Sequence, residues 1–407
     1  MNKSLLLSVL LLASLGTLVT GRQARFDDVV RNLRNPDARA RAGALSLLRE
    51  AKYLEAIEPI APLVNDPVDQ IQLAAIDAEL SFFLVDDVNA RRRVALVVEV
   101  RGAGNAETAF NSGPLAVWPR PVPDVLTTAL LAAVDDEHPK VRIDAIYTLG
   151  TIARPPLGAD HSGRLIKALD HYDPAIRAAA ARVIGRLQVK AAGAALITAV
   201  NDSQEPVRFA AMRALGEVRE ETAVQALTQQ LEHYRKGEGA WSAIDGLARL
   251  AHGSSAPVFK TRLADRDPYV RRAAAEGLAR VGDTSAIAAL SAVAASDSSE
   301  MVRAAAAFAL QSLGGNYVAR LVEPLDSSKM APQIAGYFIE LGAPMAAQLT
   351  PHLKDARETI RGNVALIVGA IGTSADVAAL EPLLQDRNAD VRRAAERAIQ
   401  RLKVRGA

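Results

Sequence analysis

Residues 265–279 read D-R-D-P-Y-V-R-R-A-A-A-E-G-L-A, from Asp265 to Ala279. Asp267 before Pro268 is a helix start: the carboxylate caps free N–H groups, and proline at the first helical position gives up no needed donor. Apolar positions then follow at helical spacing: Val270, Ala274, Leu278 and Val281. Gly282 stops this helix, and Asp283-Thr284 caps a second one over residues 285–295. The stretch therefore encodes two short helices joined by a tight turn.

The same phrase returns along the chain. It is complete at Asp173-Pro174-Ala175-Ile176-Arg177 and Glu205-Pro206-Val207-Arg208, and shorter at Val141-Arg142, Val302-Arg303, Ile360-Arg361 and Val391-Arg392. Degenerate copies stand at Ala40-Arg41, Ile71-Gln72, Gly239-Ala240 and Gln333-Ile334. From position 41 to position 392 the spacing stays near 31, except for one step of 70 between 72 and 142. A fixed period of this length is the signature of stacked supersecondary units. The predicted fold is all-α: an α-solenoid of about eleven two-helix repeats in a superhelix. Residues 22–407 then form one elongated body, not the two or three domains that 407 residues suggest. Alanine supplies about a fifth of the chain, and Gly185, Gly216 and Gly369 fall inside the first helices. Both allow close helix approach.

An aspartate recurs six positions before the repeat arginine or its equivalent: Asp66, Asp136, Asp202, Asp265, Asp297, Asp355 and Asp386. A positive charge in a first turn opposes the helix dipole, so Arg142, Arg177, Arg208, Arg271, Arg303, Arg361 and Arg392 need a compensating partner. The recurring aspartates, with Asp173 at one helix start, supply it as a structural ladder along the stack. A ligand-binding row of arginines is the competing reading.

The motif D-x-D-P-x-V-R-x-x-A-A-x-x-L-G, fullest at residues 265–279, resembles the HEAT-like repeat first described in phycobilisome bilin lyases. The likeness covers about residues 30–405, apart from one interruption. It implies the solenoid fold and is poor evidence for an activity. Related hydroxylases of this repeat class carry His-Glu dipeptides that bind iron, and this sequence has none. The likeness leaves two functional expectations. One is a non-catalytic scaffold or adaptor that binds a protein or peptide along its concave face. The other is an enzyme or accessory subunit of the lyase type, handling a tetrapyrrole.

Met1-Asn2-Lys3, an uncharged leucine-rich run over residues 4–19 and Thr20-Gly21 make the three-part pattern of a secretory signal peptide over residues 1–21. A periplasmic or extracellular protein is expected, with an N-terminal membrane anchor as the minor alternative and no membrane insertion after cleavage. The chain has no cysteine, 48 Lys plus Arg and 46 Asp plus Glu. Thiolate metal sites and cysteine nucleophiles are excluded, and the balanced charge argues against a nucleic-acid partner.

The long step holds an insertion over residues 85–123, between the helices of the second repeat (residues 71–84 and 124–134). It carries an apolar stretch over residues 93–100, Phe110, Trp118, Arg120 and four prolines at 114, 119, 121 and 123. Two readings stand: it folds back over the N-terminal end of the stack, or it binds a partner. Trp241, in an irregular turn, is expected to fill core space. The last helix, with Arg393, Glu396, Arg397, Arg401 and Lys403, is expected to expose a polar cap. For the groove, Arg164, Lys167, Lys260, Arg262 and Arg320 on the second helices are the candidates, favouring an acidic partner. The six histidines are scattered, Gly102-Ala103-Gly104 lacks the third glycine of a dinucleotide loop, and no catalytic, cofactor or metal residue is nominated.

Overall fold

A computed structural model describes residues 26–85 and 106–406. The leader over residues 1–21, the stretch 93–100 and Gly102-Ala103-Gly104 lie outside the described residues. Two rows of helices run along the chain. The long row is α1 (Ala38–Glu50), α2 (Asp69–Phe83), α3 (Pro139–Ile152), α4 (Pro174–Arg186), α5 (Glu205–Val218), α6 (Gly237–Leu250), α7 (Pro268–Arg280), α8 (Glu300–Ser312), α9 (Ala331–Leu341), α10 (Glu358–Ile371) and α11 (Ala389–Gly406). A short helix follows each of α1 to α10, commonly entered through a single 3-10 turn, as in Thr284–Ala286 before Ile287–Ser296. Among the described residues there is no strand; Leu84 and Val117 form an isolated antiparallel bridge.

The expected caps are in place. Asp173 accepts from the Ala175 amide and Asp267 from the Tyr269 amide, at 2.8 and 2.9 Å. His138 does the same for Lys140 through its ring nitrogen. At the other end of the long helix the chain turns through a left-handed residue: Gly282 (φ 72°) and Gly314 (φ 92°) suit this, but Lys52, Gln188 and Arg219 adopt it too. In each case the next amide reaches back to the helix, as Asp283 N–H does to Leu278 and Val189 N–H to Ile184. The returning hydrogen bond sets the turn, so glycine is convenient rather than obligatory.

Neighbouring long helices pack at close range. A Cβ on Gly216 would lie 2.4 Å from the Gly246 carbonyl oxygen, and one on Gly369 would lie 2.6 Å from Ala398 Cα. The core is continuous, with Val270, Ala274 and Leu278 all buried. In nine units the seventh residue after the repeat arginine or its equivalent is part of it: Leu48, Leu149, Ile184, Leu215, Leu247, Leu278, Leu310, Val368 and Ile399. In α2 that place belongs to Glu79, fully buried with neither carboxylate oxygen hydrogen-bonded. Burial pushes its carboxyl well above the usual range.

The ladder has a definite register. Each arginine donates to the carbonyl six residues back, as Arg208 does to Asp202, Arg303 to Asp297 and Arg392 to Asp386, and as Arg142 does to Asp136. Its remaining donors reach the aspartate of the following unit. Arg41–Asp66, Arg177–Asp202, Arg271–Asp297 and Arg361–Asp386 are closed, two-point pairs at 2.7–2.9 Å. The same carboxylates accept the amide two residues on, Gln204 for Asp202 and Asn388 for Asp386. Hydrogen bonds from the arginines hold Asp202, Asp297 and Asp386 below the usual carboxylate range. Where donor or acceptor is replaced the rung changes: Gln72 donates to Asp136, and Arg208 donates to the Tyr234 hydroxyl. At that register the following units carry His171 and Ser328 in place of the aspartates for Arg142 and Arg303. Asp265 pairs with Arg262 and Asp355 with Arg357 instead.

Candidate functional site: the inner face of the long helices

Contacts that skip a whole unit show which row lies inside the bend. Tyr337 of α9 donates its hydroxyl to Glu276 of α7 at 2.6 Å, and Arg280 of α7 forks onto Glu340 of α9 at 2.7 and 2.9 Å. Phe308 of the intervening α8 stacks on Tyr337 at 4.4 Å. Units two apart can touch only where the stack is compressed, so the long helices form the inner, concave face.

This face is charged. The ninth residue after the repeat mark is Arg186, Arg249 and Arg280, and the fifth is Arg182, Arg213, Asp245 and Glu276. Arg272 bridges Asp245 and Glu276 at 2.8 and 2.9 Å. Burial alone would raise the Glu276 carboxyl, but Arg272 and Arg280 overrule it and hold it below its ordinary value. Burial does push the Glu217 and Asp245 carboxyls up. Tyr337 rises well above its ordinary value through burial and then through Glu276.

One end of the face is already occupied by the described part of the insertion. A short helix, Ala106–Asn111, lies on α3 and α4. Glu107 accepts from Arg182 at 2.7 Å and from the Tyr147 hydroxyl at 3.4 Å. Asn111 also accepts from Arg182. The Phe110 ring is buried beneath Arg186, whose guanidinium carbon is 4.1 Å from the ring centroid. Gly150 makes room: a Cβ there would be 2.9 Å from Phe110 and 2.6 Å from Val183. Beyond this helix the chain passes through a 3-10 turn, Pro114–Ala116, into an extended stretch, and arginines hold its carbonyls. Arg186 donates to Phe110, Arg154 to Pro119, and Arg401 to Pro114 and Val117. Val85 and Trp118 pair with the Ala116 and Phe83 main chain.

Three expectations are refined. The described part of the insertion, residues 106–120, runs along the inner face. Phe110 and Glu107 find their partners on α3 and α4. The last helix is not wholly a solvated cap, since Arg401 is drawn into a seam where Val85, Leu115 and Trp118 meet Leu366, Arg397 and Ala398. Burial there pushes the Arg401 guanidinium down to about 10. The first and last parts of the solenoid are thus joined through the insertion. Trp241 packs against the core only at its margin: it is half-buried, stacks on Tyr269 at 4.4 Å and donates to Asp267 at 2.7 Å.

The groove candidates lie on the other row. Arg164 and Lys167 share Asp135, Lys260 pairs with Asp283, Arg262 with Asp265, and Arg320 donates to the Ala294 carbonyl. Their helices are the short ones, outside the bend, and local acceptors already engage them. Phe110 is buried, Trp118 is half-buried at the seam, and Arg120 lies 5.9 Å from the Trp118 ring. The inner-face residues Tyr147, Arg182, Arg186, Arg249 and Arg280 were not singled out from sequence. For Arg186, Arg249 and Arg280 the signal was the recurrence of arginine at the ninth position. Among the described residues no group of His, Asp and Glu could hold a metal ion, and no helix is long and apolar enough to cross a membrane.

Stacked helix pairs with one continuous core and a charged inner face define an α-solenoid. The family model described as HEAT repeats matches residues 163–238 and 235–311, so this part of the chain carries HEAT repeats. Among solved structures it is similar to an engineered protein (17% identity, 93% of this chain and 98% of that one, TM-score 0.44). It is similar also to the complex of CpcE and CpcF of phycocyanin lyase from Nostoc (22% identity, 61% and 96%, TM-score 0.42). Importin beta aligns at 12% identity over 93% of this chain and 57% of its own, with a TM-score of 0.47. No curated protein matches the sequence.

Proposed function

We propose that this chain is an exported, non-catalytic adaptor that binds a protein or peptide partner along the inner face of its long helices. The observation that carries the reading is the occupant of that face. Residues 106–120 lie there as a short helix, a 3-10 turn and an extended stretch, held by a side-chain ion pair and by arginines on main-chain carbonyls. A surface that holds one such segment has the donors to hold another. Export is supported by the charged start, apolar run and small residues of positions 1–21, and the balanced charge favours protein over nucleic acid as partner.

The test is crosslinking capture from the cell envelope with three full-length chains: wild type, Arg249→Glu on the inner face and Arg164→Glu on the outer row. Arg249 is exposed and lies outside the segment's contacts. The expected result is a specific crosslinked protein that Arg249→Glu removes and Arg164→Glu keeps. Loss with Arg164→Glu alone, or with neither, would overturn the inner-face assignment. Mass spectrometry of the mature N-terminus tests export, with Gly21 or Arg22 the expected region of the first residue.

A further inference from the structure

We propose that residues 106–120 are a built-in competitor for the groove, and that the partner is a peptide presenting the same chemistry: an acidic side chain three residues before an aromatic one. This rests on the peptide-binding reading above and names what the groove selects.

Two kinds of contact hold the segment, and they do different work. Arg154, Arg186 and Arg401 donate to carbonyls of Pro119, Phe110, Pro114 and Val117, contacts to main-chain oxygens that do not depend on side-chain identity. Glu107 on Arg182 and Tyr147, and the Phe110 ring beneath Arg186 in the space above Gly150, depend on side-chain identity. An acid and an aromatic one helical turn apart reach those two places together. The hold is also exchangeable. The Glu107 and Arg182 side chains are 48% and 31% exposed, so salt screens their pair and water can replace it. The three arginines come from the turn after α3, from α4 and from α11, so a ligand that displaces the segment would also undo the join between the first and last units.

The probe is a fluorescein-labelled synthetic copy of residues 106–120, read by fluorescence anisotropy against full-length chains. The double variant Glu107→Ala/Phe110→Ala empties the specific places and should bind the peptide at least tenfold more tightly than wild type. Adding Arg182→Ala should weaken that binding at least tenfold, and a peptide with both side chains changed to alanine should bind as weakly. Equal binding by wild type and the double variant, or no loss with Arg182→Ala, overturns the proposal. Should the double variant melt at a lower temperature, amide exchange in wild type decides. Saturating peptide is expected to speed exchange at Val85, Ser112 and Trp118 several-fold, and unchanged rates refute the competitor. Failure here, with the Arg249-dependent crosslink intact, would remove the competitor while leaving the adaptor reading.

Discussion

Truncating one ladder arginine in a closed rung should cost far more than truncating one in an open rung. Arg361 is held at four points: two on the Asp386 carboxylate at 2.7 and 2.9 Å, and the Asp355 and Ala356 carbonyls at 2.8 and 3.1 Å. Both side chains of this pair are 8% exposed. Arg303 keeps only its carbonyl contact at 2.7 Å. Arg361→Ala leaves Asp386 facing a turn that water barely reaches. Removing one partner of a buried pair costs about 3–5 kcal/mol, and the small residual exposure places this one near about 3. Arg303→Ala loses a charged-donor hydrogen bond at a site open enough for water to replace it, about 1 kcal/mol. The assay is urea unfolding followed by far-UV circular dichroism, with amide exchange at Asn388 as a local readout because stacked repeats can open in part. Asp386→Asn in the Arg361→Ala background should add little, giving a coupling of about 2 kcal/mol. The pH dependence has a definite sign. Asp386 has a lowered folded pKa, so its contribution is full above the unfolded value of about 3.9 and is lost as pH falls through the folded value. Arg361→Ala should flatten that acid limb. Equal costs for the two truncations, or no coupling, would refute the idea that the following unit's aspartate closes the rung.

Three further outcomes follow from single positions. Glu79→Leu restores the apolar residue that the other units carry at this place and removes an unbonded buried carboxyl, so it should stabilise the chain by at least about 2 kcal/mol at pH 7. Because the folded pKa of Glu79 is raised, its penalty is least below about 4.5 and grows as pH rises towards the folded value; a stability gap to Glu79→Leu that does not widen with pH would contradict this. His171→Asp gives Arg142 the acceptor it lacks, with an expected gain of about 1 kcal/mol in urea unfolding at pH 7. Burial and Arg142 hold the His171 pKa below 6.5, so wild type loses stability as pH falls from 6.5 towards the folded value, and the variant should not. Gly150→Ala puts a methyl group against Phe110 and Val183, at a cost of about 1–3 kcal/mol, and should speed limited proteolysis within residues 106–120.

Legibility in this chain follows the distance over which a residue acts. The repeat mark Val270-Arg271, the cap at Asp267 and the turn at Gly282 act within one unit, and repetition multiplies each signal. The ladder acts across one unit, about 25 residues, so the sequence showed its members while the register, each arginine closing on the following aspartate, came from the structure. Gly150 shows where this stops. It stands eight residues after Arg142, as Gly185, Gly216 and Gly369 stand after their own marks. At Gly216 and Gly369 the space is needed by the next long helix; at Gly150 it is also needed by Phe110 of the insertion. One residue type at one register thus serves two purposes, and only the curvature of the stack separates them. Curvature also decided which row faces inward, because it sums small rotations over all units and no local pattern records the sum. The contact from Arg401 to Val117, 284 residues apart, is the far limit of the same effect. Arg401 reads as one more solvated cation in a terminal helix until the bend brings the insertion to it. A reading of the groove therefore has to begin from residues that recur on the inner row and then break their own pattern, as Arg182, Arg186 and Gly150 do beside Glu107 and Phe110.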